Sequence, residues 1–157
     1  MQNSSVPLGP LSAFEHDTTT LRFSGEGLRG TVTGITPRTL RVSLQDAAET
    51  VTRPSYAIEH QLPSCPLSVE PSDTTLAVRT QEAAVHIDRQ SLAVSLYAHD
   101  GTCVSAARGI TRTNDGLADH RRLRPHDELF GLGEKTTPLG RRGYVVEGWT
   151  SDNPSAM

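Results

Sequence analysis

The sequence predicts an all-β protein folded as an antiparallel β-sandwich. Short segments that alternate apolar and polar residues recur along the 157-residue chain, and turn sequences containing Gly separate several of them. Helical periodicity is poor throughout. Only residues 43–52 could hold a helical turn, and a loop is the equal alternative there. Many short strands at regular spacing are typical of a sandwich.

Eight segments have the alternation or the composition of β-strands. They are Thr20–Ser24, Thr31–Ile35, Thr39–Leu44, Leu67–Glu70, Thr75–Arg79, Ala84–Asp88, Leu92–Tyr97 and Thr102–Ser105. Asp100-Gly101 lies between two such segments and is a strong hairpin signal. Asn114-Asp115-Gly116 is a similar turn, and Asp88-Arg89-Gln90 is expected to link two antiparallel strands.

Composition narrows the classes of function. The net charge of −3 gives no reason to expect a nucleic-acid partner. No run of 18 apolar residues predicts a membrane helix, and the N-terminus lacks signal-peptide features, so a cytoplasmic location is expected. Cys65 and Cys103 match no metal-binding spacing. We expect both to be buried thiols, with a disulfide as the alternative.

The most suggestive segment is 128–143, which is dense in Gly and charge. Its Gly131-x-Gly133-Glu134-Lys135 sequence lacks the spacing of a Walker phosphate-binding loop, and Glu134 would place an anion where the phosphate should bind. A phosphate-binding loop is therefore not expected here. No βαβ unit surrounds it, which argues against a dinucleotide site. The glycines are expected to allow a tight turn. Arg141, Arg142 and Glu134 are expected to form ion pairs that shape the loop, with a solvated surface as the alternative.

Three motifs in this region occur in a recognisable order. Phe130 to Lys135 come first, Leu139 with Arg141, Arg142 and Gly143 second, and Trp149 with Asp152 third. Together they resemble the N-terminal β-sandwich of glycoside hydrolase family 31, the α-glucosidase and α-xylosidase family. The resemblance spans roughly residues 12–153, and Gly140 departs from it by standing where the family usually has Asp.

The resemblance implies a galactose-mutarotase-like domain of the supersandwich type, belonging to a retaining α-glycosidase that hydrolyses α-linked glycosides. Residues 1–12 would be a disordered tail, 13–148 the sandwich, and 149–157 a truncated loop leading to a (β/α)₈ barrel outside this chain. The family carries its two catalytic carboxylates on that barrel, which needs roughly 250 residues. This segment alone is therefore expected to be inactive, with no catalytic residue, metal or cofactor.

The resemblance also suggests how this domain would act. Asp152 would hydrogen-bond the sugar, unless it belongs to a frayed terminus, and Trp149 would either stack on a sugar ring or only pack. The residues expected to shape the loop and contact the barrel are Gly131, Gly133, Glu134, Lys135, Arg141 and Arg142. The expected partners are the barrel and an α-glycoside carbohydrate.

Other functions remain as alternatives. A stand-alone carbohydrate-binding module would need exposed aromatic residues, yet aromatics make up only 4% of the chain. A partner-docking sandwich without catalysis would expose an apolar face that promotes self-association. The basic run His120–His126 lacks interleaved aromatics and is expected to be a solvated strand edge. His86 is expected to be an exposed strand residue opposite Val85 and Ile87.

Overall fold

The structure is a computed structural model, and it describes residues 6–48, 62–114, 116–131 and 139–145. All regular secondary structure within these ranges is β-strand. The strands are β1 (Val6–Pro7), β2 (Leu11–His16), β3 (Thr20–Gly25), β4 (Leu28–Thr36), β5 (Thr39–Asp46), β6 (Ser68–Pro71), β7 (Thr75–Arg79), β8 (Ala83–Asp88), β9 (Val94–Ala98), β10 (Cys103–Thr113) and β11 (Gly116–Arg122). The predicted all-β class is confirmed.

The strands form two antiparallel sheets. One sheet is a four-stranded meander of β2, β3, β4 and β5 in sequence order. The other has seven strands in the order β1-β10-β9-β8-β7-β6, with β11 also paired to β10. The register between β10 and β11 shifts between Ala107 and Gly109, which is the mark of a β-bulge or irregularity in the ladder. The chain divides into two compact units, one up to Arg122 and one from Leu123 onward, and all the strands belong to the first.

The core of the first unit lies between the inner faces of the two sheets. Alternate residues of each strand point inward, as the two-residue period of a strand requires. The buried core residues are Leu8, Leu21, Phe23, Leu28, Val32, Leu76, Val78, Val85, Ile87, Leu92, Val94 and Ile110. Both sheets contribute, so the predicted sandwich architecture holds.

One cross-strand pair shows how closely this core is packed. Phe23 on β3 lies directly opposite Gly30 on β4. Its ring covers the glycine so closely that a Cβ at Gly30 would lie 2.1 Å from Phe23 Cζ. The absence of a side chain at Gly30 therefore makes room for the only large aromatic ring in the buried core of the described residues.

Two of the predicted turns form as expected, and the third, Asn114-Asp115-Gly116, includes Asp115, which lies outside the described residues. Gly101 has φ of +83°, and its N–H donates to the Ala98 carbonyl at 3.0 Å where β9 turns into β10. After β8, Asp88 Oδ1 accepts hydrogen bonds from the backbone N–H groups of Gln90 at 3.0 Å and Ser91 at 2.7 Å. This carboxylate closes the turn without a glycine, and such local capping by Asp is a common turn device.

Two segments differ from the expectation. Residues 6–12 were expected to belong to a loose tail, but β1 pairs with β10, β2 begins at Leu11, and Leu8 is buried in the core. Pro7 is tolerated because β1 lies at an edge of its sheet, where a missing N–H costs little. Residues 43–46 continue β5 rather than forming a helical turn, and Ala47 and Ala48 form a turn.

Candidate functional site

The second unit contains the segment that the sequence singled out, and it begins with a tight turn. Asp127 Oδ2 accepts a hydrogen bond from the Arg124 backbone N–H at 2.8 Å, and the Arg124 guanidinium lies 3.0 Å from Asp127 Oδ1. The backbone N–H of Arg124, followed by the two arginine charges, lowers the pKa of the Asp127 carboxyl below its usual value of 3.8. The carboxylate therefore stays ionised and holds both ends of the turn.

Arg142 ties a later part of the chain to this turn. Its Nη1 donates to the carbonyl oxygens of Arg124 at 2.8 Å and Asp127 at 2.6 Å. A guanidinium can satisfy two carbonyls at once because its donors lie in a fixed plane. Arg142 was expected to form an ion pair that shapes the loop. It does shape the loop, through these hydrogen bonds to backbone oxygens.

Arg141 also forms hydrogen bonds within this unit. Its side chain is buried, its Nε donates to the Gly131 carbonyl at 3.2 Å, and its backbone N–H donates to the Leu129 carbonyl at 2.7 Å. Gly131 has φ of +89°, a conformation that favours glycine. The solvated-surface alternative is therefore wrong for Arg141, since burial of this charge requires hydrogen-bonding partners.

Large apolar side chains are exposed in this unit. They include Leu129, Phe130, Leu139, Tyr144 and Val145, with Val145 96% and Leu139 75% exposed. The polar contacts of Arg141 and Arg142 give the chain around these side chains a defined shape. Exposed apolar groups close together in sequence, on a backbone held this way, are typical of a surface that contacts another protein surface.

The remaining predicted site residues lie outside the described residues. These are Gly133, Glu134, Lys135, Trp149 and Asp152. The structure thus brings Gly131, Arg141 and Arg142 together in one loop. The sugar contact predicted for Asp152 and the stacking predicted for Trp149 stay predictions.

The first unit contains a pocket that the sequence did not indicate. It lies on the outer face of the seven-stranded sheet and has a volume of about 410 Å³. Its polar walls include His86, Asp88, Tyr97, Arg108 and Arg122. These residues come from four strands, β8 to β11, so only the pairing of distant segments assembles them.

His86 is more buried than the sequence suggested. Its neighbours Val85 and Ile87 point into the core, so His86 faces outward as predicted, but its ring packs on Tyr97 with centroids 4.2 Å apart. Its Nε2 is buried and has no hydrogen-bond partner among the described residues. Burial, and then the positive charge of Arg79, lowers the pKa of His86, with Glu70 opposing the shift. The ring is therefore neutral at pH 7.

Several aspartates serve local structure where the structure describes them. Asp88 binds Ser91, Asp100 accepts from the Thr102 N–H at 2.8 Å, and Asp119 pairs with Arg121 at 2.7 Å. Asp127 closes its own turn, as described above, and Asp115 lies outside the described residues. Each described carboxylate thus has a structural role that explains its presence.

Three further observations bear on function. Among the described residues, no cluster of three or more His, Cys, Asp or Glu side chains is placed to hold a metal ion. Cys65 and Cys103 are free and half-buried, so the disulfide alternative is wrong. Within the same part of the chain, none of the secondary structure is a helix long and apolar enough to cross a bilayer.

Comparison with known proteins supplies the family. The family described as the glycosyl hydrolase 31 N-terminal galactose mutarotase-like domain matches residues 29–157. No curated protein sequence matches significantly.

Solved structures resemble the fold. A glycoside hydrolase family 31 dextranase from Flavobacterium johnsoniae, complexed with glucose, superposes with a TM-score of 0.73 at 18% identity and covers 88% of this chain. The cycloalternan-forming enzyme from Listeria monocytogenes, in complex with a pentasaccharide substrate, gives 0.65 at 16% identity and covers 87%. The chain spans only 18% and 14% of those two proteins.

The family match covers most of the chain, and the two-sheet antiparallel fold agrees with it. The chain therefore belongs to the N-terminal galactose-mutarotase-like β-sandwich domains of glycoside hydrolase family 31.

Proposed function

We propose that this chain is the non-catalytic N-terminal domain of a retaining α-glycosidase, specifically an α-glucosidase. In this proposal the domain braces a (β/α)₈ catalytic barrel and lends residues 149–153 to the rim of the active site. The parent protein hydrolyses α-linked glucosides on that barrel. The domain itself supplies no catalytic carboxylate.

The observation that supports the bracing role is the exposed apolar surface of the second unit. Phe130, Leu139 and Val145 are 62%, 75% and 96% exposed. Burying such side chains against a partner stabilises the assembly by about 25 cal/mol per Å² of apolar area. The barrel of the same protein is the partner that the family relationship offers, and Arg141 and Arg142 hold the presenting loop in shape.

The structural neighbours support the proposed substrate class. One is named a dextranase and was solved with glucose, and another is named a cycloalternan-forming enzyme and was solved with a pentasaccharide substrate. Dextran and cycloalternan are both built from α-linked glucose units. These names support an α-glucosyl substrate for the parent protein.

The test is to isolate the native protein from its source cells with an antibody raised against this chain. We expect a product several times heavier than 17.0 kDa that hydrolyses maltose or isomaltose, with NMR showing the α-anomer of glucose released first. Faster hydrolysis of an α-xyloside than of either disaccharide would contradict the α-glucosidase assignment. Release of the β-anomer would contradict retention.

A partner-docking module without catalysis is the alternative that the exposed apolar surface also supports. A native product of 17.0 kDa with no glycosidase activity would favour it over the enzyme proposal. Recovery of a separate protein bound through residues 129–145 would then identify docking as the function.

A further inference from the structure

The pocket on the outer face of the seven-stranded sheet arises from a pattern of small and large side chains. Small residues from neighbouring strands and the β8–β9 turn form part of its wall, including Ser91, Ala93, Ser95 and Ala107. The larger side chains of His86, Tyr97, Arg108 and Arg122 stand around them. A volume of about 410 Å³ lies within the range of about 300–1,000 Å³ that is usual for small-molecule sites.

The polar groups of the pocket include both acceptors and donors. Asp88 is ionised at neutral pH, because burial, which raises its pKa, is outweighed by hydrogen bonds from Ser91 and Gln90, which lower it. Oδ1 of Asp88 accepts all three of these hydrogen bonds. No bond to Oδ2 is found among the described residues. Arg108 and Arg122 also line the pocket, and their guanidinium groups supply donors.

His86 contributes a second observation that points to a ligand. A neutral imidazole carries one ring nitrogen that can only accept a hydrogen bond and one that can only donate. His86 lines the pocket, and its buried Nε2 has no hydrogen-bond partner among the described residues, so this nitrogen keeps an unused capacity for a hydrogen bond.

We propose that this outer-face pocket binds a neutral mono- or disaccharide. The lining offers one carboxylate acceptor, Asp88, and two guanidinium donors, Arg108 and Arg122, so a ligand needs both donors and acceptors to pair with all three. A polyhydroxylated neutral molecule satisfies both kinds of group, since each hydroxyl donates to a carboxylate and accepts from a guanidinium.

This inference rests on the geometry of the sandwich and not on the activity proposed for the parent protein. It therefore stands or fails independently of the α-glucosidase assignment. A catalytically active parent with no sugar on this sheet face would overturn the pocket proposal alone. Sugar binding at the pocket in an inactive protein would overturn the enzyme proposal alone.

The experiment is an NMR titration of the ¹⁵N-labelled 157-residue chain with glucose and, separately, isomaltose. We expect saturable shift changes in the amides of β7 to β10 that surround the pocket. Arg108→Ala and Arg122→Ala should each raise the dissociation constant about fivefold, the loss of one charge-assisted hydrogen bond. Both arginines are exposed, so neither replacement removes core packing.

Arg41→Ala is the matched control. Arg41 is an exposed arginine on β5 of the other sheet, and its replacement should leave the dissociation constant unchanged. The proposal is overturned if no saturable shifts occur, if the shifts lie only in residues 123–145, or if Arg41→Ala weakens binding as much as Arg122→Ala. Tighter binding of glucuronate or inorganic phosphate than of glucose would overturn the neutral-ligand assignment.

Discussion

Arg112 joins the two sheets of the sandwich through an ion pair with Asp46, in which Nε lies 2.9 Å from Oδ2. Arg112 is on β10 of the seven-stranded sheet and Asp46 ends β5 of the four-stranded sheet. The same guanidinium donates through Nη2 to the carbonyl of Gly27, in the turn between β3 and β4. Because both charges are partly exposed, the ion pair alone contributes only about 0–1 kcal/mol.

Replacing Gly27 with alanine should reveal the contribution of this contact. Gly27 has φ of +72°, and a Cβ there would lie 2.3 Å from Arg112 Nη2. The variant incurs left-handed backbone strain of about 1–2 kcal/mol and also displaces the guanidinium, for a further loss of about 1 kcal/mol. Urea denaturation measures the change in the free energy of unfolding.

Gly101→Ala is the control for Gly27→Ala. Gly101 has a similar φ of +83°, and no atom lies within 4 Å of the position its Cβ would take. It therefore carries the backbone strain without the clash. Equal destabilisation by the two replacements would show that the Arg112 contact adds nothing.

The ionisation of Asp127 should report on the loop of the second unit. Arg124→Ala is expected to raise the pKa of the Asp127 carboxyl toward 3.8, because the guanidinium of residue 124 is removed. Arg142→Ala should raise it by less, since Arg142 acts on the carboxylate only through its charge. Carboxyl-detected NMR titration of the variants measures both shifts. An unchanged pKa in Arg124→Ala would contradict the described geometry.

Asp88 should make the first unit sensitive to acid. Its native pKa is depressed below 3.8, so its stabilisation is complete above that pH and is lost as the pH falls through the native pKa. Asp88→Asn should therefore lower the free energy of unfolding by about 1–2 kcal/mol at pH 7. The gap between variant and parent should narrow in acid. Thermal unfolding measured from neutral to acidic pH checks this, and a gap independent of pH would contradict it.

The exposed apolar residues of the second unit should promote self-association of the isolated chain. We expect its mass in sedimentation equilibrium to rise with protein concentration, and Leu139→Ser with Val145→Ser to suppress that rise. Val104→Ser is the control, because Val104 is 56% exposed on β10 of the first unit. A rise that persists in the double variant but vanishes in Val104→Ser would place the contact on the sandwich instead.

Local sequence patterns were sufficient to predict most of the strands. Alternation identified segments such as Ala84–Asp88, because a strand with one face in the core must repeat every two residues. Asp100-Gly101 identified its turn because the required positive φ favours Gly. The patterns missed β2 and β11. They also missed β1, since two residues that include a proline carry no alternation. That strand forms only because β10 offers it a pairing edge.

The residues of the candidate site also divide into those that the sequence identified and those whose contacts only the structure could show. The ordered motifs from Phe130 to Asp152 were enough to recognise the family, because they are contiguous in sequence. The hydrogen-bond partners of Arg142 could not be predicted from the sequence, since they are backbone carbonyls 18 and 15 residues earlier.

The sequence by itself determined the strand content, the turns and the family, because each depends on residues close together in the chain. Tertiary structure alone decided that His86, Asp88, Tyr97 and Arg122 share one pocket, and that Arg141 is buried while Val145 is exposed. These properties depend on which strands pair and which faces pack. Pairing and packing join residues that are distant in sequence, so no local pattern encodes them.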